Sequence, residues 1–202
     1  MTIQVQALLQ SRRTIQSYEN YADRYDAAVG QIPNPNDQAA LRRLVEIAGI
    51  GSLVLEVSSG PGRDADFLET LGVKVLRTDA TRRFLELQAA RGRHGDLLDI
   101  MTDALGGPYD AVVALCVLIH IPRVEIDRVL AKVAASLRPG GAFLVSMRDG
   151  DGEASGEYHT VYWLRDPFTA RLESAGLSVV WDEFSIDCDG DPWNTFLAVK
   201  PS

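Results

Sequence analysis

Residues that build metal and redox chemistry are scarce in this sequence. Of its 202 residues, two are cysteine and three are histidine. Cys116 lies inside an apolar run and Cys188 in a polar turn, which indicates neither a disulfide framework nor a thiolate metal site. His94, His120 and His159 lack a paired-ligand spacing with cysteine or acid, so no metal is expected. Positive charge is also short. Twenty Lys and Arg face 28 Asp and Glu, a formal net charge of −8, which argues against a nucleic-acid partner. No apolar run approaches spanning length, so no membrane partner is expected. The opening MTIQVQALLQSRR lacks a signal-peptide core, and the expected location is the cytoplasm.

What is present is an ordinary globular balance, 46% hydrophobic and 24% charged, over a length that suits one domain. The informative centre is LVLEVSSGPGRDADFLETLGVKVLRTDAT, residues 53–81. Leu53, Val54, Leu55 and Val57 form the near-continuous apolar run of a parallel strand covered on both faces. Gly60-Pro61-Gly62 forces a tight turn. Ala65, Phe67, Leu68 and Leu71 then keep helical spacing until Gly72 stops them. Val73, Val75 and Leu76 start a second strand that ends in Asp79. Ligands of open parallel sheets bind beyond the carboxyl ends of the strands, where Glu56, the glycine turn and Asp79 all fall.

Before this centre, Thr14 opens a helical pattern with Ile15, Tyr18, Ala22, Tyr25 and Val29 on one face. A second helix follows the Pro33-Asn34-Pro35 loop, capped by Asn36 or Asp37. After the centre, Thr81 caps a helix in which Arg82 and Arg83 read as a solvated face. His94-Gly95-Asp96-Leu97 comes next, then a β-type run from Tyr109 to Leu118 that leads into Ile119-His120-Ile121-Pro122. A helix over residues 124–137 and a strand over residues 142–147 end in Arg148-Asp149. Residues 150–163, rich in glycine and polar groups, read as a flexible segment carrying Tyr158, His159, Tyr162 and Trp163. Asp166 and Pro167 begin the last helix, and two closing strands flank IDCDGDPWN.

On these residues the chain resembles the class I S-adenosylmethionine-dependent methyltransferases. Their motif (Glu or Asp)-x-Gly-x-Gly-x-Gly aligns with residues 56–62, with Ser58 in place of the first glycine. Tyr18-x-x-x-Ala22-x-x-Tyr25 and Leu118-x-His120-x-Pro122 match two further stations, and the likeness spans residues 18–200. The resemblance implies a three-layer Rossmann-like α/β sandwich with a mostly parallel seven-stranded sheet ending in an antiparallel hairpin. It implies S-adenosyl-L-methionine as cofactor. Glu56, Ser58, Gly60 and Gly62 would hold its methionine end, Asp79 its ribose, and Asp96 its adenine amino group, with the Leu97 amide beside the ring. Ala80 and Leu115 complete that set. Residues 1–50 would be helices forming a lid, with Tyr18 and Tyr25 on its inner face, and residues 51–202 the cofactor-binding core. His120, Arg148 and His159 would orient or deprotonate a small-molecule or short-peptide acceptor, in a monomer or homodimer.

Other readings stand beside this one. A tyrosine stripe also suits a core, and His120 also suits a helix cap. Ser58 motivates a regulator that binds the cofactor without catalysis. Gly60-x-Gly62-x-x-Ala65 with Asp79 fits an NAD-dependent oxidoreductase, although Lys74, Lys132 and Lys200 leave no Tyr-x-x-x-Lys pair.

Overall fold

The structure, a computed structural model, describes residues 3–202. The chain opens with two helices, α1 (Val5–Val29) and α2 (Pro35–Ala48). The centre follows as β1 (Leu53–Glu56), α3 (Arg63–Thr70) and β2 (Lys74–Asp79). Next come α4 (Arg82–Ala90), the two-residue β3 (Asp96–Leu97) and β4 (Tyr109–Ala114). Single 3-10 turns at Leu118–His120 and Arg123–Glu125 lead into α5 (Ile126–Ser136) and β5 (Leu137–Arg148). The chain finishes with β6 (Gly152–Ser155), β7 (His159–Tyr162), α6 (Arg165–Ser174), β8 (Ser178–Ile186) and β9 (Pro192–Val199).

Seven strands form one sheet in the order β3-β2-β1-β4-β5-β9-β8. The pairs from β3 through to β5 are parallel, and β9 runs antiparallel to both β5 and β8. This is the expected Rossmann-like sandwich with its closing hairpin; a dinucleotide half-domain would instead continue with parallel units. Successive residues of the central strands feed opposite faces. Leu55, Val112 and Phe143 join one buried cluster, while Val54, Val113 and Leu144 join the other with Leu41 and Leu44 of α2 and Leu68 of α3. That two-sided burial is why these strands read as unbroken apolar runs. Strand order reverses between β1 and β4, which opens a crevice at their carboxyl ends.

Several local expectations need correction. The first helix starts at Val5, nine residues before Thr14, because Ala7 and Ser11 continue its buried face. Asn34 caps α2, its Oδ1 accepting from the Asp37 N–H at 2.9 Å, with Pro35 in the first turn. Leu164 precedes α6, so Asp166 and Pro167 lie within its first turn. Residues 150–163 are no loose loop, since β6 and β7 pair as a hairpin from Gly152–Tyr162 to Ser155–His159. Trp163 is buried against Phe168 with the Arg123 guanidinium 3.9 Å from its ring centroid, so it anchors that hairpin.

Candidate functional site

The glycine turn after β1 is built for close approach. Ser58, Gly60 and Gly62 have φ of 54°, 53° and 90°, the left-handed region. Its rear is pinned by side chains. Gln88 Nε2 of α4 donates to Ser59 Oγ and to the Gly60 carbonyl, each at 2.8 Å. Arg77 donates to the Gly62 carbonyl at 3.3 Å while its guanidinium pairs with Asp66 and Glu69. From β2, Asp79 accepts the Gly60 N–H on Oδ2 at 2.8 Å and the Thr81 N–H on Oδ1 at 2.7 Å. Burial pushes its carboxyl up to about 6, against those two N–H bonds, which pull it down. Each oxygen keeps a second lone pair for a ligand hydroxyl. Beneath the turn, burial and then Asp64 push the Glu56 carboxyl well above the usual range, and its Oε2 has no hydrogen-bond partner.

Between this turn and α1 lies a cavity of about 110 Å³. Tyr18, Tyr25, Ser58, Gly60, Asp79, Ala80, Leu115 and His120 all line it. Glu56 and Gly62 support it from behind. Asp96 does not line it: its exposed carboxylate pairs with His94 Nε2 at 3.2 Å. Leu97 borders a neighbouring groove with Asp99, and Asp99 lines the cavity itself. Sequence reasoning passed over Asp99, three residues beyond Asp96. It also passed over Ser11 and Thr14, whose helical spacing from Tyr18 was a usable signal, and Cys116. The Cys116 N–H donates to Ser146 Oγ at 2.8 Å, which fixes the residue on the cavity wall. Ser58 and Cys116 are the two non-glycine residues with positive φ among the described residues, and both face this cavity.

His120 occupies the end of the crevice. Its Nδ1 stands 2.7 Å from the His159 carbonyl oxygen, which only accepts, so Nδ1 carries the proton. Nε2 therefore presents a lone pair, and the Tyr18 hydroxyl donates to it at 2.9 Å. Burial pushes the imidazole down to about 4, which keeps it neutral near pH 7. The Tyr18 hydroxyl is pushed well above its usual range by burial, then by Tyr25 and Tyr158. His159 contributes only its backbone here. Its ring turns to Glu153 Oε2 at 2.8 Å and Ser155 Oγ at 3.2 Å, while its N–H donates to Thr14 Oγ1 at 3.0 Å. Arg148 lies outside the cavity wall, with Nη2 2.6 Å from Asp191 and its guanidinium over Trp193.

Polar links hold α1 across the cavity. Thr81 makes no side-chain cap on α4; Glu19 of α1 does that work, accepting from Arg82 N at 2.7 Å and Arg83 N at 3.0 Å. Asp23 pairs with Arg83 at 2.7 Å and Asp26 with Arg91 at 3.1 Å, so Arg83 is not merely solvated. By contrast α2 packs on the sheet face. Met1 and Thr2, part of the expected lid, lie outside the described residues.

Residues 55–143 match a family model described as a methyltransferase domain. No curated protein matches the chain in sequence. Solved structures share the fold. The 1,6-didemethyltoxoflavin-N1-methyltransferase of Burkholderia thailandensis superposes with a TM-score of 0.77 at 18% identity, over 100% of this chain and 92% of its own. Magnesium protoporphyrin IX methyltransferase (ChlM) from Synechocystis PCC 6803, with bound S-adenosylhomocysteine, gives 0.71 at 16%, over 96% and 99%. The [4+2]-cyclase SpnF gives 0.75 at 16%, over 95% and 96%.

Proposed function

We propose that this chain is a class I S-adenosylmethionine-dependent methyltransferase that methylates a small molecule in the cavity beneath α1. One observation carries the reading: the Ser58–Gly62 turn, Asp79 and the neutral His120 are brought to one cavity at the strand reversal. The residues present suit the cofactor. The cavity wall holds the carboxylates of Asp79 and Asp99 and no lysine or arginine, so a sulfonium meets no like charge. A Cβ at Gly60 would meet nothing within 4 Å, which leaves the wall open there. The orphaned Glu56 Oε2 suits a cationic group near the turn.

When bound, S-adenosylmethionine supplies a methyl group already activated by positive sulfur. The chain's task is then positioning, which can lower a barrier by several kcal/mol. Asp79 would hold the ribose hydroxyls, and Leu97 and Asp99, which border the adjoining groove, would lie toward the adenine. Helix α1 acts as the lid, since about 110 Å³ is below the roughly 300–1,000 Å³ of a ligand-holding site. An acceptor small enough to be enclosed by α1 and the β6–β7 hairpin fits this geometry better than a peptide. His120 Nε2 is placed to take a proton. His159 acts by positioning, through its carbonyl on His120 Nδ1, whereas Arg148 stays with Asp191 outside the wall.

The test is Asp79→Ala, which should weaken S-adenosylhomocysteine binding by about 1–3 kcal/mol in calorimetry through loss of charge-assisted hydrogen bonds. Unchanged affinity in a folded variant overturns the assignment. The SpnF likeness supports a second reading, because the fold also serves cyclisation and fold alone does not fix chemistry. Binding with no S-adenosylhomocysteine produced from S-adenosylmethionine across acceptor panels would favour that reading, or a regulator.

A further inference from the structure

We infer that the acceptor is an uncharged, flat molecule that offers an O–H or N–H to His120 Nε2, in the position now taken by the Tyr18 hydroxyl. This rests on the methyltransferase reading of the same cavity. Its first support is the fixed polarity of the imidazole. With Nδ1–H committed to the His159 carbonyl, Nε2 can only accept, so the group it selects must donate. At present that donor is Tyr18, which belongs to the lid rather than to the sheet.

The second support is the charge of the wall. No lysine or arginine lines the cavity; Arg63 is engaged with Asp37 and Asp64, Arg148 with Asp191, and Arg12 and Arg82 border the adjoining groove. A carboxylate or phosphate on the acceptor would find no counter-ion in the cavity, and would face Asp79 and Asp99. The third support is shape. Tyr18 and Tyr25 meet edge to face at 6.0 Å, Phe84 lies 5.5 Å from Tyr25, and His120 lies 5.4 Å from Tyr18. Such walls favour a planar guest. Burial acts on both signs of charge alike, raising Tyr25 to about 12 and lowering His120 to about 4.

The proton then has a defined path. As the acceptor atom gains its methyl it releases its hydrogen to Nε2, and the resulting imidazolium keeps Nδ1–H on the His159 carbonyl. The positive charge brought in with the methyl group leaves as that proton, so the step balances.

Phenol, benzoate and anisole serve as probes, titrated into the full chain saturated with S-adenosylhomocysteine and read by the ¹⁵N resonance of His120 Nε2. Phenol should move that resonance and bind about tenfold or more tightly than either analogue, since a site built to pair a donor rejects molecules lacking it. Tyr18→Phe removes the competing hydroxyl and should tighten phenol several-fold. His120→Gln should bring the three probes within about twofold of one another. Equal or stronger binding of benzoate, no shift at Nε2 up to the solubility of phenol, or weaker phenol binding in Tyr18→Phe overturns the inference. Calorimetry of S-adenosylhomocysteine alone separates the two claims. If it does not bind, the methyltransferase reading fails; if it binds and the probes do not discriminate, only the acceptor assignment fails.

Discussion

The Tyr18 hydroxyl donates to His120 Nε2 at 2.9 Å across a separation of 102 residues. That single bond joins α1 to the end of the crevice, and it leaves the imidazole fully partnered, with Nδ1–H on the His159 carbonyl. Tyr18→Phe keeps the ring contacts with Tyr25, Phe84 and Tyr158 but strands a buried acceptor. Chemical denaturation of the ligand-free protein should show a loss of about 1–2 kcal/mol. Identical stability would mean that the hydroxyl bond is not formed in solution.

The same imidazole predicts how stability depends on pH. Burial displaces His120 from 6.5 to about 4, so the unfolded chain binds a proton in that window that the folded chain refuses. Its contribution is therefore whole above pH 6.5 and declines as pH falls toward 4, by about 3 kcal/mol in all. Asp79, raised from 3.8 to about 6, tilts the opposite way: it favours the fold at low pH and loses that contribution as pH rises through 6. A single curve therefore mixes the two, and a difference separates them. The stability of the wild type minus that of His120→Gln should shrink by about 3 kcal/mol between pH 7 and pH 4, measured by urea titration at several pH values. Parallel curves would rule the linkage out.

Glu19 shows which part of the architecture local pattern could not carry. The β1–α3–β2 centre is legible because apolar period, glycine turn and terminal acid coincide within about 27 residues, and His120 is legible because it follows a strand's carboxyl end. The α4 cap is different: Thr81 has the right residue type at the right place, yet the carboxylate comes from α1, 63 residues away. The β6–β7 hairpin is hidden for a similar reason, as its strands are polar and glycine-rich and are set by contacts with residues distant in sequence, such as Thr14 Oγ1 on the His159 N–H and His120 on the His159 carbonyl. Asp96 begins a two-residue strand and Asp99 follows it, and the strand is too short for a period of two to say which side chain turns inward.

Glu19→Ala removes both acceptors from the first N–H groups of α4 while leaving the Asp23–Arg83 and Asp26–Arg91 pairs in place. Losing such a cap costs about 1 kcal/mol. Because the cap also ties α1 to α4, amide exchange should quicken at Arg82, Arg83 and along the middle of α1 together. Faster exchange in α4 alone would show that α1 is held by its other links and that Glu19 serves only as a cap.

The turn itself sets two substitutions, at Gly62 and at Ser58, in contrast. At Gly62 a Cβ would stand 2.9 Å from Arg77 Nη1 and 3.0 Å from Gln88 Oε1, on a backbone with φ of +90°. Gly62→Ala must push back the two side chains that pin the turn, in a conformation that L-residues rarely adopt, and should destabilise the protein by about 2 kcal/mol or more. Ser58 is the reverse case: a side chain already bears φ of 54° where the related motif has glycine. Ser58→Gly relieves about 1–2 kcal/mol of left-handed strain but frees the unfolded chain by about 0.4–1 kcal/mol, so the net gain is small. Its larger consequence lies in the cavity, where the hydroxymethyl group is removed from the wall. Stability should hold or rise slightly while S-adenosylhomocysteine binds more tightly by calorimetry. A marked loss of affinity would mean instead that the serine hydroxyl is a ligand, and that this chain has replaced a glycine contact with a side-chain one.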